Sequence, residues 1–258
     1  MASKFVWYEL MTSDAPAAES FYRDVVGWSA RDSGMPNIRY TLLSVGETPV
    51  AGLMQFPPEP VKGQGGPGWL GYVHVENVDA TLAQAQKLGA TVHHAATDIP
   101  GVGRFAVLAD PQGAVFALFK PNGATTPPAP MTPGTIGWHE LHATEAEKAF
   151  AFYSALFGWQ RNQGIDMGPL GIYQIFGDEG APMGFGGIFN KPAAEARPYW
   201  LYYFAVADID AATERVTASG GTVGHGPQQV PGGAWIIQAQ DPQGAAFALV
   251  GMRQAGSA

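Results

Sequence analysis

Val6-Trp7-Tyr8-Glu9-Leu10, near the start of the chain, recurs 131 residues later as Gly137-Trp138-His139-Glu140-Leu141. The same offset aligns other stretches in the same order: Phe21-Tyr22 with Phe152-Tyr153, Gly27-Trp28 with Gly158-Trp159, and Asp110-Pro111-Gln112-Gly113 with Asp241-Pro242-Gln243-Gly244. Self-similarity over whole half-chains, at a period too long for a solenoid, indicates a duplicated domain. Because the Trp-X-Glu-Leu segment opens each copy, we expect the function to be built around it.

The opening segment has the pattern of a half-buried strand. Residues 5–12 alternate and are rich in aromatic side chains, which places Trp7, Glu9 and Met11 on one face of the strand. An amphipathic helix is expected to follow from about Ser13 and to end before Gly27, and its counterpart in copy two to end before Gly158, because glycine readily adopts the left-handed conformation that ends a helix. In copy two, Thr144–Glu147 fits a capping box at the start of the equivalent helix.

Further strands and a second helix follow in each copy. The second helices are predicted to begin at Asp79 and Asp210 and to end at the glycines near 89 and 220. Each copy therefore alternates strand, helix and strands twice, which predicts an α+β domain made of two similar half-units. The predicted strands after the first helix are 40–45, 50–55, 69–76, 102–109 and 114–120 in copy one, and 172–176, 183–189, 200–207, 234–240 and 245–251 in copy two.

Domain boundaries follow from the repeat and from proline content. We predict a first domain over residues 1–122, a proline-rich linker over 123–133 and a second domain over 134–258. Within the first domain, residues 57–67 are rich in proline and glycine and are predicted to form a loop.

Composition excludes several classes of function. The formal charge of −8 argues against nucleic acid and anionic membranes as partners. The absence of cysteine excludes thiolate catalysis, disulfides and cysteine-ligated metal. The N-terminus leads directly into a strand, without an apolar signal segment, and no apolar run is long enough to span a bilayer. We therefore expect a cytoplasmic protein that has no membrane partner.

The ordered set of repeated motifs resembles the vicinal-oxygen-chelate superfamily, which includes glyoxalases, bleomycin-resistance proteins and extradiol dioxygenases. The motifs that carry the resemblance are Phe21-Tyr22 with Val26-Gly27-Trp28, Asp79 with Leu88-Gly89-Ala90, and Asp110–Gly113, each of which occurs twice. The resemblance covers nearly the whole chain. It implies two tandem glyoxalase-like domains, each built of paired βαβββ modules that form a cupped sheet.

Enzymes of this superfamily hold a divalent metal in the cup, and the resemblance maps their ligand positions onto this chain. These positions lie on the first strand, the strand before the second helix and the last strand of each domain. The side chains found there are two indoles, two isobutyl groups and two methyl groups, none of which coordinates a divalent ion. The six positions are Trp7, Leu70, Ala117, Trp138, Leu201 and Ala248. We therefore predict no metal at these positions.

Strand alternation predicts what the cups hold instead, because residues two and four along from each ligand position share its face. Glu9 and Glu140 are the candidate catalytic carboxylates, since a carboxylate among aromatic rings can act as an acid, a base or a hydrogen-bonding group. The alternative is a carboxylate with a purely structural partner. The candidate ligand-binding residues are Trp7, Met11, Tyr72 and His74 in copy one, and Trp138, His142 and Tyr203 in copy two.

Two classes of function fit this composition. The first is a protein that binds a small organic ligand in aromatic-lined cups. The second is an enzyme of the same superfamily, a glyoxalase-type lyase or a hydroxylase or dioxygenase. Such an enzyme would use Glu and His as acid and base, or a displaced metal site that pairs Glu9 with His74 or Glu140 with His142. Of the two classes, binding is favoured because the residues that make the superfamily catalytic are replaced.

Overall fold

The computed structural model describes residues 3–35, 38–56, 66–123, 129, 131–181 and 183–254. These residues form four successive modules, each with one strand, one helix and three further strands. The modules are β1 (Phe5–Thr12), α1 (Ala15–Val26), β2 (Ser29–Asp32), β3 (Tyr40–Val45) and β4 (Thr48–Gln55); β5 (Gly68–His74), α2 (Val78–Lys87), β6 (Thr91–Ile99), β7 (Gly103–Ala109) and β8 (Val115–Pro121); β9 (Ile136–Ala143), α3 (Ala146–Phe157), β10 (Gln160–Asp166), β11 (Ile172–Gly177) and β12 (Gly186–Asn190); and β13 (Tyr199–Val206), α4 (Ile209–Ala218), β14 (Thr222–Gln229), β15 (Trp235–Gln240) and β16 (Ala246–Gly251).

The strands hydrogen-bond in two eight-stranded sheets of the same topology. Their orders are β2-β3-β4-β1-β5-β8-β7-β6 and β10-β11-β12-β9-β13-β16-β15-β14. Within each module the first strand pairs in parallel with the last, and the remaining pairs are antiparallel. The predicted α+β class, with βαβββ modules in pairs, is confirmed.

The chain divides into two compact units that combine modules from different copies of the repeat. One unit comprises Met1–Val6, Leu70–Pro127 and His139–Leu201, and the other comprises Trp7–Trp69, Pro128–Trp138 and Tyr202–Ala258. Helix α2 packs with α3 in the first unit, and α1 packs with α4 in the second. Each first helix is therefore covered by a module from the opposite copy.

A buried Trp–Tyr–Asp chain links the two modules of each unit. In the second unit, Trp69 donates to the Tyr22 hydroxyl at 2.9 Å, and that hydroxyl donates to Asp241 at 3.1 Å. In the first unit, Trp200 and Tyr153 make the same contacts with Asp110, at 3.0 and 3.1 Å. Burial raises the pKa of both aspartates. The second oxygen of each aspartate accepts backbone N–H groups of its Asp-Pro-Gln-Gly turn, so one carboxylate fixes both the turn and the helix above it.

The ends of the first helices confirm one prediction and correct another. Gly27 and Gly158 end α1 and α3 in the left-handed conformation, with φ of 88° and 75°, as their positions after the helices predict. The capping box predicted at Thr144–Glu147 is wrong, because α3 begins one residue later and its cap residue Glu145 makes no side-chain capping bond. The Asn190 side chain accepts from the Ala146 N–H instead, at 2.8 Å. A distant strand end thus supplies the cap.

The sequence pattern missed the outer strands β2, β6, β10 and β14. Their residues are mostly exposed on both faces, so they lack the apolar alternation that marks a half-buried strand. Most of the predicted loop over 57–67 and most of the predicted linker over 123–133 lie outside the described residues. In the part of the chain that the structure describes, none of the helices has the length and apolar character needed to cross a membrane.

Candidate functional site

The candidate site lies on the opening strand of copy two, where Glu140 and His142 share one face of β9. They alternate along the strand as predicted, and each is paired in parallel register with a residue of β12, Gly187 beside Glu140 and Phe189 beside His142. Both side chains are buried: that of His142 is 2% exposed and that of Glu140 is 9% exposed. A charged group at such depth requires partners close at hand.

Two carboxylates hold the His142 ring, one at each nitrogen. Its Nε2 lies 2.9 Å from Glu140 Oε1, and its Nδ1 lies 2.9 and 3.0 Å from the two oxygens of Glu195. Phe189 meets the ring edge to face at 4.6 Å, and Tyr199 lies over it at 4.5 Å between ring centres. The imidazole is therefore enclosed by two carboxylates and two aromatic rings.

This arrangement sets the protonation state of the histidine. Burial by itself lowers the pKa of His142, but the hydrogen bonds and negative charges of Glu140 and Glu195 outweigh burial and raise the pKa to about 9. Near neutral pH the ring is thus an imidazolium ion that donates both protons. The three side chains form a buried carboxylate–imidazolium–carboxylate cluster, which we call the His142 cluster.

A tyrosine holds the second oxygen of Glu140. Tyr173, on β11, donates its hydroxyl to Glu140 Oε2 at 2.9 Å. Its ring crosses the neighbouring strand over Gly187, where an added Cβ would lie 2.1 Å from the ring. Glycine at that position gives Tyr173 the room to reach Glu140. The absence of a side chain at Gly187 thus allows Tyr173 to hold the Glu140 carboxylate.

Glu195 is the member of the cluster that sequence reasoning missed. It lies in the irregular segment 191–198 between β12 and β13, and its side chain is 25% exposed. Lys191 donates through Nζ to the Glu195 carbonyl, the Glu195 N–H donates to Pro192, and the Tyr199 hydroxyl reaches Glu195 Oε1 at 3.4 Å. No periodic pattern marks such a residue, so only the path of the segment brings it to His142.

The opening strand of copy one carries half of the same arrangement. Tyr40 hydrogen-bonds Glu9 and accepts the Trp7 indole N–H at 2.9 Å. Burial and the charge of Glu9 raise the pKa of Tyr40. The Tyr40 ring lies over Gly52, where an added Cβ would sit 1.9 Å from the hydroxyl. Met11, two residues after Glu9, takes the position that His142 occupies in copy two.

The remaining sequence candidates lie on the predicted strands. Tyr72, on β5, is buried, with its ring near Phe105 and Phe119. His74, at the end of the same strand, is half-buried and lies 3.9 Å from an oxygen of Glu76. Tyr203, on β13, is buried and accepts the Gln238 amide at 2.8 Å. Met11 and Trp138 are both half-buried on their opening strands.

Family comparison agrees with the fold of tandem βαβββ modules. Residues 135–249 match the Glyoxalase/Bleomycin resistance protein/Dioxygenase superfamily, and residues 7–119 match a glyoxalase-like domain. CFP32 of Mycobacterium tuberculosis, whose name calls it a glyoxylase, is 30% identical over 246 residues, or 95% of this chain and 93% of its own length. The anthracycline biosynthesis protein DnrV of Streptomyces peucetius is 30% identical over 259 residues, with 96% and 93% covered. The chain belongs to the Glyoxalase/Bleomycin resistance protein/Dioxygenase superfamily.

Solved structures share the fold at lower identity. The Mn(II)-bound glyoxalase of Novosphingobium aromaticivorans superimposes with a TM-score of 0.66 at 16% identity, covering 98% of this chain and 83% of that one. Homoprotocatechuate 2,3-dioxygenase of Arthrobacter globiformis gives 0.69 at 15% identity, covering 97% and 80%. At such identities the similarity shows the fold.

The side chains of this chain can be tested for their fit to a metal such as the Mn(II) of the Novosphingobium aromaticivorans glyoxalase. The six positions that the resemblance assigns to ligands carry indole, isobutyl and methyl groups, which have no donor atom for a divalent ion. In the His142 cluster the two carboxylates lie at opposite nitrogens of the ring, so the three side chains do not converge on one point. Among the described residues, no group of three or more His, Asp or Glu is arranged to hold a metal ion. The donor set found here does not fit the metal.

Proposed function

We propose that the protein binds a small organic molecule, and that in copy two the His142 cluster forms the polar part of the binding site. The observation that carries the proposal is a buried imidazolium on the first strand of copy two, held by Glu140 of the same strand and by Glu195 of segment 191–198. Buried ion clusters rarely raise stability, since the desolvation of each charge offsets most of the attraction. Strongly perturbed titratable groups are instead concentrated at functional sites.

Copy one supports this reasoning, because it forms the same strand and the same Tyr–Glu pair with Met11 in place of the histidine. The βαβββ module therefore folds without an imidazolium at this position. A group that the fold does not need, and that costs desolvation, is best explained by a function. Aromatic rings beside the ion, Phe189 and Tyr199, suit an organic ligand with a few polar atoms.

The relatives suggest the size and type of the ligand. CFP32 is named as a glyoxylase and DnrV as an anthracycline biosynthesis protein, so both names point to small organic compounds. A ligand of that kind agrees with the aromatic candidates Trp7, Trp138, Tyr72 and Tyr203, whose role in binding stays a prediction. The predicted domains 1–122 and 134–258 and the cytoplasmic location also stay predictions.

A ligand screen with matched variants tests the proposal. Wild-type protein, His142→Met and Met11→Leu would be screened by native mass spectrometry against a library of small aromatic and amphipathic compounds. His142→Met copies the residue of copy one, and Met11→Leu is the control for a conservative change at the equivalent position. We expect compounds that bind wild type and Met11→Leu and are lost in His142→Met. Hits that bind His142→Met equally well would contradict a role for the cluster.

The second candidate is an enzyme that uses acid–base chemistry, favoured by the unbroken hydrogen-bond chain from Tyr173 through Glu140 to His142. Such a chain can hold or move a proton at Glu140 Oε1 or His142 Nε2. Glu140→Gln keeps the shape and removes the ionisation. If turnover of a bound compound disappears while its binding remains, the protein is an enzyme. If neither changes, Glu140 has a structural role.

Elemental analysis of the purified protein tests the prediction that no metal is bound at the six positions.

A further inference from the structure

The two carboxylates of the His142 cluster are held in different ways. Glu140 projects from β9, is fixed by Tyr173 across Gly187 and is almost fully buried. Glu195 comes from segment 191–198, which is neither helix nor strand, and a quarter of its side-chain surface is exposed. Glu140 is therefore the more firmly held partner of the imidazolium, and Glu195 is the less firmly held one.

Departure of Glu195 would leave a defined vacancy. The His142 Nδ1–H donor would face the place of the carboxylate, with the ring still enclosed by Phe189 and Tyr199. The buried Nδ1–H would lose its charge-assisted hydrogen bond and stay without an acceptor, so the vacancy favours an anionic replacement. A neutral acceptor would form a weaker hydrogen bond with Nδ1–H than a carboxylate does, and a cationic group would be repelled by the ring.

Charges on the segment favour the same kind of occupant. Lys191 lies beside Glu195, to whose carbonyl its Nζ donates, and Arg197 follows two residues later. When the Glu195 side chain turns away, one negative charge leaves the site, Glu140 still pairs with His142, and the Lys191 ammonium stays beside the opening. The shape that fits is that of the carboxylate itself, since both of its oxygens lie within 3.0 Å of Nδ1.

We infer that Glu195 stands in the place of the ligand's own anionic group, and that the site takes a small aromatic carboxylate whose anion replaces Glu195 at His142 Nδ1. The inference rests on the proposed function and adds to it the chemical class of the ligand. Nδ1 then donates to the ligand carboxylate, and the aromatic body of the ligand contacts Phe189 and Tyr199. Glu195 acts as an internal competitor that keeps the cation paired until the ligand arrives.

Benzoate and benzamide are the probes, because they have nearly the same shape and differ in charge. Calorimetric titration at pH 7 would compare wild type with Glu195→Ala, Glu195→Gln, His142→Met and Glu179→Ala. The last variant removes an exposed carboxylate from the same unit and is the control for net charge. Glu195→Gln keeps the size of the side chain and carries the test if the alanine variant folds poorly, which circular dichroism would show.

We expect both Glu195 variants to bind benzoate about tenfold more tightly than wild type, since an internal charged hydrogen bond no longer competes. Benzamide should gain nothing, Glu179→Ala should match wild type, and His142→Met should lose benzoate binding. In ¹⁵N spectra benzoate should shift the His142 Nδ1 resonance.

Three results would overturn the inference. They are equal benzoate affinity in wild type and both Glu195 variants, an equal gain for benzamide, and no detectable binding of benzoate by any variant. The proposed function fails separately, if the library screen finds no compound that depends on His142. If that screen finds neutral or cationic compounds that do depend on His142, the proposed function stands and the carboxylate inference alone is wrong.

Discussion

The opening strands of the two copies carry the same glutamate and differ in what surrounds it. Both Glu9 and Glu140 are hydrogen-bonded by a tyrosine, and both tyrosines lie over a glycine of the neighbouring strand. Two residues further along, copy one has a thioether and copy two an imidazolium. The shared part shows what the module uses to hold a carboxylate on its first strand. The difference lies in charge, because copy two has an imidazolium where copy one has a neutral side chain on an equivalent strand.

The largest expected difference between the copies concerns removal of the carboxylate. Glu140→Leu leaves the buried imidazolium with only Glu195, which should destabilise the protein by about 3–5 kcal/mol. Glu9→Leu leaves the Tyr40 hydroxyl without its acceptor and should cost about 1–3 kcal/mol. Urea unfolding followed by tryptophan fluorescence measures both. Equal costs would mean that the extra charge of copy two contributes nothing to the folded state.

The second prediction concerns pH, and it involves two histidines of β9 that copy one replaces by Tyr8 and Met11. The folded-state pKa of His142 is raised to about 9, so its contribution is complete below about 6.5, the pKa of a free histidine, and is lost as pH rises through 9. The gap corresponds to about 3 kcal/mol. We expect His142→Met to flatten the decline of stability between pH 6.5 and 9, measured by urea unfolding at each pH.

His139 should give the opposite dependence of stability on pH. It is buried, stacked on Phe5 at 4.4 Å, with Nδ1 2.6 Å from the Phe185 carbonyl oxygen. Burial lowers its pKa to about 4, although the bond to Phe185 opposes the shift. Its neutral form is therefore favoured on folding, and stability should fall as pH drops from about 6.5 to 4.

If stability followed pH in the same way in His142→Met and wild type, the charged state assigned to His142 would be wrong.

The third prediction tests the shared support of the two carboxylates. Gly187→Ala and Gly52→Ala each place a methyl group inside the volume of a tyrosine ring, so Tyr173 or Tyr40 must move away from its glutamate. Each change should cost about 1–3 kcal/mol, as overpacking does. Combining each alanine with Tyr173→Phe or Tyr40→Phe separates the two contributions. If the alanine moves the ring and thereby already breaks the Tyr–Glu hydrogen bond, removing the hydroxyl as well adds no further cost. The double variant should then cost less than the sum of the single changes.

The smallest expected difference concerns the Trp–Tyr–Asp chains. Tyr22→Phe and Tyr153→Phe each remove a hydroxyl that joins a tryptophan to a buried aspartate, and each should cost about 1–3 kcal/mol. Because the distances agree within 0.1 Å, the two costs should agree within about 0.5 kcal/mol. Thermal unfolding of the two variants checks the agreement. A larger gap would show that the units differ beyond the site.

Much of the fold was predictable because its sequence signals occur in both copies of the repeat. The offset between Trp7 and Trp138 predicts the duplication, and strand alternation places Glu140 and His142 on one face, as the structure confirms. These features depend on local periodicity, which the sequence carries directly. The outer strands β2, β6, β10 and β14 were missed because exposure on both faces removes that periodicity.

What only the tertiary structure decided depends on residues far apart in the chain. Tyr22 meets Asp241 from 219 residues away, so each unit joins modules of different copies, an arrangement that no spacing in the repeat predicts. Glu195 reaches His142 across 53 residues, from a segment whose path is set by its ends on β12 and β13. The sequence determined which face each side chain takes, because that is a property of the local backbone. The structure decided which distant group meets it there, and with that the charge of the histidine.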